Sequence, residues 1–315
     1  MSKKILITPK SFKTYKDKTY PLLEEKGYEI IENTLGKTFT EEQILNLIKD
    51  DVEGIIIGVD PLSSKVLEQC KNLKAISKYG VGMDNIDLAK AKAMEIKVRN
   101  AVGSNSISVA ETAIALMFSI TRNIYLTVSS VKSGGWDRVI GYELTNKKLG
   151  LIGGGQIGKE VAKRARGLEM QVAIYDPYFN DDAFLSKYSI TRTASLTEIL
   201  SDSDIISLHI PVTPETNGII GKKAFETMKP DAFLINTSRG DLVNEEALYE
   251  ALVSKKIAGA AQDVFSSEPP CKDEKLLTLD NFILTSHIGA FTHEAVERMA
   301  MLSTRNLIEM LESEV

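Results

Sequence analysis

The chain has 315 residues, 43% hydrophobic and 26% charged, with 21 Gly and 9 Pro, which excludes global disorder and leaves room for two domains with separate cores. Its 38 basic and 43 acidic residues give a net charge of −5, and no Lys/Arg block is longer than a pair, so a nucleic-acid partner is not expected. Cys70 and Cys271 lie far apart with no CxxC spacing, as expected of a reduced cytoplasmic protein without a disulfide framework or a metal site.

The chain opens on Lys3-Lys4-Ile5-Leu6-Ile7-Thr8, whose apolar stretch is too short for a signal peptide or a membrane span and reads as a first strand; no membrane contact is expected. Ile/Val-rich runs follow at 28–31, 54–57, 75–78 and 96–99, separated by helical spacing such as Glu41 to Ile48. That alternation predicts a parallel sheet with helical crossovers. Ser106 to Ile124, apolar and free of Pro and Gly, predicts one long helix buried on most of its circumference. A second series of runs begins at 148–152 and continues at 170–175, 204–208, 232–236, 257–261 and 282–284. Thr292 to Leu311 closes the chain with helical periodicity at Ala295, Met299, Leu302, Leu307 and Met310, and is placed to return to the first domain. The fold class is therefore α/β, with two doubly wound parallel-sheet domains and a cleft between them. The expected boundaries are 1–102 plus 292–315 for one domain and 103–291 for the other.

Within the second series, Gly153, Gly155 and Gly158 form GxGxxG between a buried strand and a helical run. In that context the glycines give a tight turn, close backbone approach to a pyrophosphate and close packing of helix on strand, with the helix N-terminus facing the anion. Asp176 ends the next strand, 23 residues after Gly153, where a carboxylate can accept the ribose hydroxyls of NAD and repel the extra phosphate of NADP. No Arg or Lys follows in Pro177-Tyr178-Phe179-Asn180. His209, Arg239, Glu268 and His287 each follow a later strand of this domain. Arg239 suits a two-bond grip on a carboxylate, although position alone fits a loop-capping Arg equally well. Glu268 and His287 could meet near Arg239 as a carboxylate and an imidazole, and His is scarce, at 209, 287 and 293 only. His209 is open between a cofactor-side position and a buried, hydrogen-bonded one. Trp136 fits packing better than a pocket or partner-subunit role, and His293 reads as the start of the last helix.

These residues resemble those of the D-isomer-specific 2-hydroxyacid dehydrogenases over nearly the whole chain. The resemblance implies a Rossmann-like NAD domain and a flavodoxin-like substrate domain. It implies that Lys78, Tyr79, Gly80, Val81, Gly82 and Asn105 bind substrate, the glycine loop holding a carboxylate on its N–H groups. Arg239, Glu268 and His287 match the family's catalytic trio. NAD would be held by Gly153, Gly155, Gln156, Ile157, Gly158, Asp176, His209, Pro211, Thr237, Asp263 and Gly289, with Asp263 at the nicotinamide amide. The implied reaction is reversible hydride transfer between NADH and a small 2-oxo acid in a cytoplasmic homodimer, Glu268 orienting His287 and favouring its protonated form. The substrate leans to the 3-phosphoglycerate or hydroxypyruvate type, because the chain is most similar to short-type phosphoglycerate dehydrogenases. Gly58 stands where some of those carry an Arg, leaving Lys78 and Arg138 to meet a phosphate. Glu268 argues against formate. The rival expectation is an NAD(H)-sensing binding scaffold resembling a corepressor, which a panel of 2-oxo acids with NADH would separate from an enzyme.

Overall fold

The computed structural model describes residues 3–48 and 51–313 and divides the chain into two compact units, 1–105 with 290–315, and 106–289. The first unit is a five-stranded sheet of β1 (Lys3–Ile7), β2 (Tyr28–Glu32), β3 (Val52–Ile57), β4 (Ala75–Lys78) and β5 (Lys97–Asn100), in the order β2-β1-β3-β4-β5. Every pairing is parallel, so both faces need cover. That is why Ile55, Ile56 and Ile57 can follow one another without a polar residue: all three are fully buried, 55 and 57 on one face and 56 on the other. The last helix, His293–Glu312, covers the Ile56 face with Ala300, Leu307 and Met310 and packs on β3, β4 and β5. Thr292 caps it by accepting the Ala295 N–H.

The second unit is a seven-stranded parallel sheet of β6 (Lys148–Ile152), β7 (Gln171–Tyr175), β8 (Thr191–Arg192), β9 (Ile205–Leu208), β10 (Phe233–Asn236), β11 (Gly259–Gln262) and β12 (Phe282–Leu284), in the order β12-β11-β10-β9-β6-β7-β8. The strand order reverses beside β6, at the kind of switch point where open α/β sheets bind ligands outside the C-terminal ends of their strands. The helix Gln156–Gly167 leaves β6 there.

The single helix expected over Ser106 to Ile124 is two helices. Ser106–Thr121 buries Ala110, Ala113, Leu116, Met117 and Ile120 in one core of the unit, and Ile124–Lys132 departs at 68°. Asn123 turns the chain with φ 52°, a left-handed conformation that Asn adopts at low cost. The returning segment takes up the loose ends, Tyr142 N–H donating to Thr121 C=O at 2.8 Å and Asn123 Nδ2 to Ile140 C=O at 3.2 Å. Among the described residues no single helix is long and apolar enough to cross a membrane.

Candidate active site

Around the C-terminal ends of β6, β7, β9, β10, β11 and β12 the second unit gathers most of the residues singled out above. Gly153 turns the chain with φ 106°, and a Cβ there would meet the His209 carbonyl at under 3.0 Å. A Cβ at Gly158 would likewise meet the Gly153 carbonyl, whereas one at Gly155 would have nothing within 4 Å. The first and third glycines are thus demanded by the fold itself, and the second leaves open space over a helix N-terminus whose first N–H groups lack helical partners. Gln156 and Ile157 open that helix, with Gln156 exposed.

Asp176 is half-buried and aimed by the backbone, accepting Gly154 N–H on Oδ2 and Tyr178 N–H on Oδ1, each at 2.9 Å. Each oxygen keeps capacity for a hydroxyl donor. Lys159, in the same helix as Gly158, is tied to Asp181 at 2.5 Å. Farther along the sheet edge, two buried polar atoms have no partner among the described residues: His209 Nδ1 and Thr237 Oγ1. His209 Nε2 lies 2.9 Å from Ser207 Oγ, and burial pushes the imidazole down to about 3, so the ring is neutral. Pro211 is exposed just beyond it. Open space at Gly155, an aimed carboxylate at Asp176 and two orphaned polar atoms beyond the turn together suit a dinucleotide.

Glu268 and His287 come from the loops after β11 and β12 and meet, Glu268 Oε2 lying 2.7 Å from His287 Nδ1. Burial pushes the Glu268 carboxyl up, but the bond to His287, the Phe265 N–H at 3.0 Å on Oε1 and the charges of His287 and Arg239 outweigh it and hold the group below the usual carboxylate range. Arg239, on the turn after β10, is half-buried, with Nη1 donating to Ser238 C=O at 2.6 Å.

His287 sits at φ 56°, in the left-handed region that a residue with a Cβ occupies at a cost of order 1–3 kcal/mol, so the surrounding loop must hold it. Asp263 does this. Wholly buried, it accepts Thr285 Oγ1 at 2.5 Å, Ile288 N–H at 2.9 Å and Gly289 N–H at 2.7 Å, and Ser108 Oγ donates to Gly289 C=O at 2.5 Å. Glu245 braces the neighbouring turn by accepting both the N–H and the hydroxyl of Ser266, at 2.9 and 2.8 Å. The sequence reading missed Ser108, Thr285 and Glu245, because their role depends on partners 21 to 181 positions away.

The remaining candidates lie in the first unit. Gly80 takes φ 132°, and its carbonyl and that of Val81 are fixed by Ala101 N–H at 2.8 Å and Asn100 Nδ2 at 2.6 Å. Among the described residues nothing accepts the N–H of Gly80, Val81 or Gly82. Asn105 Oδ1 is buried without a partner among the described residues. Tyr79 packs inward with its hydroxyl 3.0 Å from Ser11 Oγ, and burial pushes it up to about 12. Lys78 is buried, its ammonium donating to Gly58 C=O and to Asn85 Oδ1 at 2.5 Å. No group of three or more His, Cys, Asp or Glu among the described residues is placed to hold a metal ion.

Residues 114–289 match the NAD binding domain of the D-isomer specific 2-hydroxyacid dehydrogenases. The chain belongs to that family. As a member of it, the chain has NAD as its cofactor. It is 43% identical over 251 residues to a D-3-phosphoglycerate dehydrogenase of Archaeoglobus fulgidus, covering 79% of this chain and 47% of that one. With a hydroxypyruvate reductase of Thermotoga maritima it shares 39% identity over 290 residues, 91% of this chain and 92% of that one. Among solved structures, a glyoxylate reductase from Paecilomyes thermophila superposes with a TM-score of 0.85 at 27% identity, covering 99% and 96% of the two chains. The chain spans about half the length of the archaeal phosphoglycerate dehydrogenases that it matches.

Proposed function

We propose that this member of the family is an NAD-dependent oxidoreductase that interconverts a small, unphosphorylated 2-oxo acid of the hydroxypyruvate or glyoxylate type with its D-2-hydroxy acid. The observation that carries the reading is the Glu268–His287 pair at 2.7 Å, with Arg239 close enough to act on the carboxylate of Glu268. Because Glu268 occupies Nδ1, His287 can give or take a proton only at Nε2, which fixes the face of the ring that meets the substrate oxygen. Arg239 pairs with the substrate carboxylate and polarises the carbonyl beside it. In the first unit, the N–H groups of Gly80, Val81 and Gly82 form a nest suited to a carboxylate, with Asn105 offering an unpaired amide oxygen. Gly153, Gly155, Gln156, Ile157 and Gly158 hold the pyrophosphate and Asp176 the ribose, while His209, Pro211, Thr237, Asp263 and Gly289 lie toward the nicotinamide. When bound, NADH supplies the hydride that balances the proton from His287.

An unphosphorylated substrate is favoured because Lys78, a cation the sequence offers for a phosphate, spends its ammonium on Gly58 and Asn85. We further propose a cytoplasmic homodimer, joined through the exposed apolar side chains of the helix Ile124–Lys132 and the segment after it; the unpaired thiols of Cys70 and Cys271 suit a reducing compartment.

The test is a comparison of kcat/KM for hydroxypyruvate, glyoxylate, pyruvate and 3-phosphohydroxypyruvate with NADH and NADPH. Unphosphorylated acids should lead, and NADH should exceed NADPH by more than about tenfold, because Asp176 repels a 2′-phosphate. Preference for the phosphorylated acid would overturn the substrate assignment, and no turnover with any acid would favour a binding scaffold.

A further inference from the structure

The turn that carries Arg239 is held by a side chain that no ligand can reach. Asn236, the last residue of β10, is wholly buried, and its amide makes three bonds. Oδ1 accepts Ser238 N–H at 3.0 Å, while Nδ2 donates to Arg239 C=O at 2.8 Å and to Gln262 Oε1 at 3.2 Å. The amide cannot be turned over, because that would set N–H against the Ser238 N–H and oxygen against the Arg239 carbonyl. Ser238 is tied a second time, Oγ donating to Leu208 C=O at 2.7 Å. The guanidinium of Arg239 leans on the same turn through Nη1 and Ser238 C=O at 2.6 Å. The backbone at Arg239 is therefore held by the amide of Asn236, and the guanidinium is tied to the same turn through Nη1.

We propose that Asn236 is a positioning residue for Arg239, acting on the reaction only through that side chain. The inference rests on the carboxylate role assigned to Arg239 above. A strand-end Asn that merely stabilises its own turn is the competing account, and the two differ in what a conservative change does. Asn236→Asp keeps the acceptor for Ser238 N–H but replaces the donation to Arg239 C=O with oxygen facing oxygen, while the Gln262 amide, whose buried Nε2 has no partner among the described residues, can turn to donate to the new carboxylate. The turn should open at Arg239 while Ser238 stays anchored, displacing the guanidinium.

A double-mutant cycle on the full chain decides between them, with kcat and KM for a 2-oxo acid, the Kd of NADH by fluorescence titration and Tm measured for each variant. Alone, Asn236→Asp should raise KM and lower kcat/KM on the order of 10–100-fold, with NADH affinity little changed. In an Arg239→Ala background the same change should cost less than about threefold, since there is no guanidinium left to misplace. Asn236→Ala, which removes the oxygen repulsion, serves in the same cycle if the Asp variant does not fold. Wild-type kinetics for the Asn236 variants, equal penalties in both backgrounds, or failure of both to fold would each overturn the inference and leave the Arg239 reading standing. Undiminished kcat/KM in Arg239→Ala alone would remove both.

Discussion

A 2-oxo acid reduced by hydride must also take a proton, and the pairing of Glu268 with His287 determines how pH governs that step. Glu268 is held below the usual carboxylate range, so its charge is present throughout the neutral range and disappears only as pH falls through that lowered value. As the general acid of the proposed reduction, His287 would give its proton from Nε2 and depend on Glu268 at Nδ1 to hold the ring in place, so kcat should fall on the acid side as the Glu268 charge is lost. Replacing Glu268 with Gln removes the carboxyl whose titration sets that acid limb, so kcat should fall and its acid-side dependence should disappear. His287→Ala should instead lower kcat by roughly 10²–10⁴ at every pH while leaving NADH affinity intact, the loss expected when a positioned general acid is removed. pH profiles of kcat for both variants check this. An unchanged acid limb in the Gln variant would show that Glu268 does not govern the proton supply.

At the scale of elements, the β6 turn separates what the fold demands from what a ligand demands. A methyl at position 158 would strike the Gly153 carbonyl, whereas one at 155 enters open space. Gly158→Ala should therefore lower Tm and NADH affinity together, but Gly155→Ala should weaken NADH binding with Tm nearly unchanged. Thermal melts beside NADH titrations check the pair, and a Gly155→Ala protein that binds NADH normally would remove the pyrophosphate from this turn. This turn was legible in the sequence because its signal is local: glycines at fixed spacing between a buried strand and a helix. Elements that depend on distant partners were not. β8 is two exposed residues, Thr191 and Arg192, paired at the sheet edge beside β7, and offers no apolar run to read. The break at Asn123 was hidden because Ile124, Tyr125 and Leu126 continue the apolar pattern, and the segment 140–142 that accommodates the bend arrives from farther along the chain.

For the whole molecule, the alternation of strands and helices carried the fold class, since parallel sheets buried on both faces leave continuous Ile/Val runs that few other arrangements require. The candidate chemistry was legible for a related reason: parallel strands bring their C-terminal ends to one edge, so residues scattered from Gly153 to His287 share an address. The contacts of Lys78 were not legible in this way, because Gly58 and Asn85 lie 20 and 7 positions away along the chain. The proposed homodimer would meet through a surface of the second unit that its own core leaves uncovered. No residue of the helix Ile124–Lys132 is buried; Ile124, Val128 and Val131 fall on one face at helical spacing, and Trp136 and Ile140 beyond it are 75% and 93% exposed. A patch of this kind is a liability in a monomer, and a second copy can cover it with its own equivalent about a twofold axis. Val131→Asp combined with Ile140→Asp places two charges on each copy's patch, where burial would leave them unpaired, and should convert the dimer to monomer at micromolar concentration. Light scattering on the eluting protein gives the mass directly. A wild-type mass of one chain, or a double variant that remains a dimer, would show that this face is not where the copies meet.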